Sequence, residues 1–148
     1  MSTHTILLAE DSAEDVRLIL AALQPIIPAD QVALCADGVD ALDYLFARNS
    51  HAARDNLALP KIVLLDLNLP KINGLEVLRQ LRETPRTRLL PVLMLSASAE
   101  QSDVRTAAQF GANSYVRKPL DYARLRETIE LISDYWLNLN IPPPSQID

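Results

Sequence analysis

The sequence predicts an α/β fold, a five-stranded parallel sheet wound on both faces by helices. Three observations predict it. Five short apolar runs are each followed by a stretch with helical periodicity; the runs lack the in-out alternation of a half-exposed sheet; and acids, a serine or a lysine stand where the runs end. At 148 residues, 49% of them apolar and 22% charged, the chain has the length and composition of one globular domain. A chain this long buries roughly 70% of the surface its unfolded form exposes and needs no staples.

Thr5-Ile6-Leu7-Leu8-Ala9 is the first strand, wholly apolar as a central parallel strand must be. Ser12 caps the helix after it, Glu14 and Asp15 occupy the favourable first turn, and Val16, Ile19, Leu20 and Leu23 form its apolar stripe before Pro25. Gln31 to Cys35 is the second strand. Ala36-Asp37-Gly38 turns into a helix from Val39 to Arg48 with Leu42, Leu45 and Phe46 inward, and Asn49 to Leu59 reads as loop. Lys61-Ile62-Val63-Leu64-Leu65 is the third strand and delivers Asp66; Pro70 and Gly74 lead to a helix carrying Leu75, Val77, Leu78 and Leu81. Pro91 to Leu95 is the fourth strand, Glu100 to Phe110 a helix, Asn113 to Arg117 a shorter fifth strand ending at Lys118-Pro119, and a last helix runs from about Asp121 to Leu139. Right-handed crossovers make this a flavodoxin-like (βα)5 domain of strand order 2-1-3-4-5 over residues 1–140, with a Pro-rich tail at 141–148.

Charge and termini narrow the function. A net charge of −5 leaves no basic stripe for phosphates along a duplex, so direct nucleic-acid binding is not expected. No apolar stretch approaches ~18 residues and no basic leader precedes one, so neither membrane spanning nor secretion is expected. The single cysteine, Cys35, reads as a core thiol and suits a reducing cytoplasm. His4 and His51 read as surface residues without acids at ligand spacing.

In such a sheet ligands sit beyond the carboxyl ends of the strands. Glu10 and Asp11, Asp66, Ser96 and Lys118 all stand there. Three converging carboxylates raise one another's pKa unless a cation sits among them, and Mg2+, a hard ion that pairs carboxylates with phosphate, suits an all-oxygen set. Lys118 supplies a movable charge and Ser96 a hydroxyl donor, although Ser96 also reads as a helix cap unless Ser98 takes that part. Such groups suit phosphoryl transfer with an aspartate as nucleophile.

Over nearly its whole length the sequence resembles the receiver domain of response regulators, the CheY-like domains. Glu10-Asp11 matches the family's acid pair, Asp66 its phosphoacceptor, Ser96 its hydroxyl switch, Tyr115 its aromatic switch and Lys118-Pro119 its lysine-proline pair. The passage Leu65 to Pro70 followed by Gly74 is similar as well. The resemblance implies that the Asn68 backbone carbonyl joins Glu10, Asp11 and Asp66 around Mg2+, that Asn68 and Ser98 tune dephosphorylation, and that the Lys118-Pro119 bond is cis. It implies a signalling domain that assists its own phosphorylation rather than an enzyme, with a sensor histidine kinase as partner. Glu10 to Leu18 and the tail are similar to single-domain regulators that serve phytochrome-type kinases. On the last helix Leu125, Ile129, Ile132 and Trp136 make a stripe for the sheet, whereas Leu131, Tyr135 and Leu139 make a second. The surplus stripe, the aromatics Tyr135 and Trp136 and the stiff Pro142-Pro143-Pro144 arm suggest a homodimer.

Three other readings compete. A phosphohydrolase of the haloacid dehalogenase type also uses a strand-end aspartate and magnesium, but wants a second aspartate where Asn68 stands. A flavin or dinucleotide binder needs a glycine-rich loop, and the chain has three glycines in all. A dimeric interaction module independent of phosphorylation would not need the intact acid set.

Overall fold

The computed structural model describes residues 4–55 and 58–144. Its elements run β1 (Ile6–Ala9), α1 (Ala13–Leu23), β2 (Val32–Cys35), α2 (Gly38–Phe46), β3 (Ile62–Leu65), α3 (Gly74–Glu83), β4 (Val92–Ser96), α4 (Gln101–Gln109), β5 (Ser114–Arg117) and α5 (Tyr122–Ser133). All strand pairs are parallel and the order is β2-β1-β3-β4-β5, as the sequence implied.

The central strands are apolar throughout because both faces are covered. Leu7, Ala9, Val63, Leu65, Val92 and Met94 point to one side, where Leu42 and Leu45 of α2, Val77, Leu78 and Leu81 of α3 and Ala107 of α4 meet them. Their neighbours Ile6, Leu8, Ile62, Leu64, Leu93 and Leu95 point to the other, against Ile19 and Leu23 of α1 and Leu125, Ile129 and Ile132 of α5. Alternation along a strand thus feeds two cores. Each fully buried aliphatic side chain contributes about 1.5–3 kcal/mol of transfer free energy, which is why these positions tolerate no polar residue.

Helix ends follow local chemistry. Ser12 caps α1 by accepting from Asp15 N–H at 3.3 Å, and Asp37 caps α2 by accepting from Asp40 N–H at 2.7 Å, which starts α2 at Gly38. Ala47 adopts a left-handed φ of 52° and ends that helix before Arg48. Ser98 stands ahead of α4, accepting from Glu100 N–H at 3.3 Å and donating to Asp103 at 2.7 Å. Arg82 of α3 gathers the amino edge of the sheet, donating to the carbonyls of Leu90 at 2.8 Å and Gly111 at 2.9 Å and to Asn113 Oδ1 at 2.8 Å.

Several expectations are corrected. The last helix is α-helical only to Ser133; residues Asp134–Leu139 widen into a π turn in which Asn140 N–H reaches the Tyr135 carbonyl at 2.6 Å, a change of winding that apolar spacing does not reveal. The Lys118–Pro119 bond is trans, the isomer favoured by about 0.5–1 kcal/mol for X–Pro bonds. Both histidines have partners: His4 Nδ1 lies 2.6 Å from the Tyr44 hydroxyl and His51 Nε2 lies 2.8 Å from Asp40 Oδ1. These pairs join distant segments and leave no periodic trace. The loop after α2 contains a 3-10 turn at Asn49–His51. Cys35 is a core thiol as expected, and burial, with Asp40 and Asp37 nearby, pushes its pKa far up. Tail residues 145–148 lie outside the described residues.

Candidate functional site

Parallel register places the residues that follow β1, β3 and β5 at one edge. Ala9 faces Leu65 across the β1–β3 ladder and Ser96 faces Arg117 across β4–β5. The ladder continues just past the strands: Asp66 N–H donates to the Ala9 carbonyl at 3.0 Å and Lys118 N–H to the Ser96 carbonyl at 2.7 Å. Glu10, Asp11, Asp66, Ser96 and Lys118 therefore converge without any help from long loops.

Carboxylate oxygens of Glu10, Asp11 and Asp66 lie within 4.8 Å of one another, Glu10 and Asp66 buried and Asp11 exposed. The Lys118 ammonium is buried among acids. It donates to Glu10 Oε1 at 2.6 Å and Asp15 Oδ2 at 2.8 Å, and stands 3.5 Å from Asp66 Oδ2. Glu10 also accepts from Ser12 N–H at 3.1 Å. Burial raises the Glu10 pKa to about 7, the Asp66 charge adding to the effect while the bonds from Lys118 and Ser12 oppose it. Burial alone would lower the lysine, but its bonds to Asp15 and Glu10 outweigh that and hold it above its ordinary value.

The donor set fits a hard divalent ion. It offers oxygens only, and one of its three carboxylates opens to solvent. No sulfur or imidazole is part of it, which disfavours zinc there.

Behind Asp66 the backbone is tightly packed. A Cβ on Gly74 would fall 2.2 Å from the Asp66 carbonyl oxygen and 3.0 Å from Leu67 Cα, while Gly74 N–H donates to the Leu67 carbonyl at 2.8 Å. The start of α3 is thereby pressed against the residue that carries the carboxylate. Asn68 is exposed, and its N–H lies 3.3 Å from Asp66 Oδ1.

Ser96 is fully buried and its hydroxyl oxygen accepts from Ser98 N–H at 3.2 Å. Tyr115 lies half-buried on β5 and donates to the Ser98 carbonyl at 2.8 Å. The two residues are thus linked through Ser98. Sequence reasoning placed Asp15 only as a first-turn acid favoured by the helix dipole. Here it faces Lys118, whereas the adjacent Glu14 points out to Arg17 at 3.8 Å. The signal available was the doubled acid pair Glu10-Asp11 and Glu14-Asp15, but only the rotation of α1 tells which member turns inward.

Residues 6–130 match the model of the response regulator receiver domain. The probable methanogenesis regulatory protein FilR2 of Methanothrix harundinacea is 39% identical over 138 residues, covering 93% of this chain and 86% of that protein. The response regulator Rcp1 of Synechocystis sp. is 32% identical over 132 residues, 89% of this chain and 88% of Rcp1. A Mn2+-bound form of Rcp1 superposes with a TM-score of 0.84 at 31% identity, covering 94% and 98% of the two chains. The phosphorylated cyanobacterial phytochrome response regulator RcpA gives a TM-score of 0.88 at 31% identity, over 97% of this chain and 100% of RcpA.

Proposed function

The chain belongs to the response regulator receiver domain family, and from that premise we propose that it is a single-domain regulator phosphorylated on Asp66 by a sensor histidine kinase of phytochrome type. The observation that carries the reading is the buried Lys118 ammonium, just past β5, held by Glu10 and Asp66 at the ends of β1 and β3 and by Asp15 of α1. A structural ion pair gains little from such burial, whereas a phosphoacceptor needs a cation at hand.

In the reaction an Asp66 carboxylate oxygen forms a bond to phosphorus as the P–N bond of the kinase phosphohistidine breaks and the imidazole departs. Glu10, Asp11, Asp66 and the Asn68 backbone carbonyl would hold Mg2+, which would neutralise the charge gathered on the carboxylates and the phosphoryl oxygens. Lys118 releases Asp66 and takes a phosphoryl oxygen, remaining tethered to Glu10 and Asp15. The Ser96 hydroxyl donates to another phosphoryl oxygen. Turning Ser96 toward the phosphoryl loosens its bond from Ser98, and with it the Ser98 carbonyl that holds Tyr115. Tyr115 then moves inward and the α4–β5–α5 face repacks, a population shift biased by one local charge event. Asn68 and Ser98, at the mouth of the site, are proposed to tune how long the phosphoryl group lasts.

Output passes through protein contact. Leu131, Tyr135 and Leu139 are 72%, 50% and 68% exposed, so the second stripe of the last helix is uncovered by the domain itself. Trp136 is half-buried against the α1–α5 core and meets Tyr135 edge-on at 5.1 Å, bracing the stripe. We assign residues 1–140 to the receiver and 141–148 to an arm of a homodimer formed across this stripe. The domain is proposed to act in the cytoplasm. Among the described residues no helix is long and apolar enough to cross a membrane.

The test is acetyl phosphate labelling with and without Mg2+, read by intact mass. One phosphoryl group gained only with Mg2+, and lost in Asp66→Asn, is the expected result. Labelling that survives Asp66→Asn overturns the assignment of the acceptor, and steady turnover of a small phosphate ester would indicate the hydrolase instead.

A further inference from the structure

One strand over from the acid cluster, a second group of metal-ligating atoms comes together from three segments. Cys35 closes β2, Asp40 stands in the first turn of α2, and His51 ends the 3-10 turn at Asn49–His51. The Cys35 sulfur, a carboxylate oxygen of Asp40 and a ring nitrogen of His51 all lie within 4.8 Å of one another. His51 Nε2 is 2.8 Å from Asp40 Oδ1.

The surroundings hold these groups in place. Two non-glycine residues, Ala47 and Asn49, adopt left-handed φ values of 52° and 55°, so the chain reverses sharply after α2 and brings His51 back over the first turn of that helix. Tyr44 stacks edge-on against His51 with ring centroids 5.4 Å apart, and its hydroxyl in turn meets His4 Nδ1 at 2.6 Å. Asp37 fixes the backbone of Asp40 through the cap bond at 2.7 Å. Cys35 is 2% exposed, while Asp40 and His51 are half-buried and give an ion a way in.

We propose that Cys35, Asp40 and His51 form a second metal site, selective for a Zn2+-like ion and distinct from the all-oxygen cluster around Asp66. One thiolate, one imidazole and one carboxylate make three of the four ligands a tetrahedral zinc takes, with water completing the set. Soft sulfur disfavours Mg2+ at this position, just as the absence of sulfur and nitrogen disfavours zinc at the other. On binding, a metal–sulfur bond forms as the Cys35 S–H proton leaves to solvent, and His51 offers Nε2 unprotonated with its proton on Nδ1. The ion replaces the His51–Asp40 contact and joins β2, the start of α2 and the turn after it. Cys35 also lies beside the first site, since its carbonyl accepts from Glu10 N–H at 3.0 Å.

Because Cys35 is the only cysteine in the chain, a thiolate–metal signal reports this site alone. The full-length protein, kept reduced and saturated with Mg2+, is titrated with Co2+ and followed in the near-ultraviolet and visible. One equivalent with a thiolate-to-cobalt charge-transfer band is expected, displaced by Zn2+. Affinity should fall at least about tenfold in His51→Ala and in Asp40→Asn, and the band should persist in Asp66→Asn. Both ligand variants lie at half-buried positions and are checked for folding by circular dichroism, so the test does not depend on the core substitution Cys35→Ser. Absence of the band at one equivalent overturns the proposal, as does binding indifferent to His51→Ala.

Discussion

Replacing Gly74 by alanine tests how rigidly Asp66 must be held. An added Cβ would sit 2.2 Å from the Asp66 carbonyl oxygen, whereas carbon and oxygen in ordinary contact stand more than about 3 Å apart, so the start of α3 or the Asp66 backbone must give by roughly 1 Å. Overpacking of this kind costs about 1–3 kcal/mol of stability. A misplacement of about 1 Å at a reacting group costs on the order of 100-fold in rate, so labelling of Gly74→Ala by acetyl phosphate with Mg2+ should slow by about that factor. The control is Gly111→Ala, at the opposite edge of the sheet. Its φ of 98° strains any side chain, with a cost of about 1–3 kcal/mol but no path to Asp66. Initial labelling rates by intact mass are compared at a temperature where urea unfolding shows all three proteins folded. Wild-type labelling of Gly74→Ala refutes the reasoning, and so does equal slowing of Gly111→Ala, which would trace the effect to stability alone.

Lys118→Met removes the cation from among Glu10, Asp15 and Asp66, and should destabilise the Mg2+-free protein by about 3–5 kcal/mol and recover part of that loss when Mg2+ is added; urea midpoints with and without the ion check it. Glu10 has a folded pKa of about 7 against an ordinary 4.5, so between these values the folded state binds more protons than the unfolded one, and the Glu10 contribution to stability falls as pH rises through that window. In chelator the urea midpoint should show this slope, and Glu10→Gln should flatten it. Arg82→Met severs the charged bonds to Gly111, Leu90 and Asn113 and should cost about 3 kcal/mol, measured by urea unfolding, while leaving labelling by acetyl phosphate intact once folded. Leu131→Glu with Tyr135→Ser should shift sedimentation from dimer to monomer; a wild-type profile that is already monomeric removes the dimer from the proposed output.

The sheet and its site were legible because each rests on a local signal. Runs such as Ile62 to Leu65 announce buried parallel strands by composition alone, and parallel register then carries Glu10, Asp66, Ser96 and Lys118 to one edge whatever the details of the helices. Contacts set by helix rotation or by distant partners were not legible. Asp15 and Glu14 are adjacent acids of the same first turn, and only packing of α1 decides that Asp15 meets Lys118. His51 reads as a surface residue because its partner Asp40 is eleven positions away, across a chain reversal in which Ala47, an alanine, gives no sign of its left-handed backbone. The π turn at Asp134–Leu139 escaped for a different reason, since Leu131, Tyr135 and Leu139 keep helical spacing through it.

The Lys118 ammonium joins parts of the chain 108, 103 and 52 positions apart. Contacts of such separation close large loops and are disfavoured until much of the chain between them is ordered. Phosphorylation competence is therefore a late-acquired property: a chain lacking β5 or with β1 undocked holds Asp66 but not the groups that act on it. An ion or phosphoryl group bound there works as a reversible cross-link between the first and last strands, and its binding free energy stabilises the whole domain against unfolding rather than one loop. Labelling with acetyl phosphate accordingly requires a fully folded molecule, and saturation of the site with a divalent ion should protect amides on β1 and β5 from hydrogen exchange together.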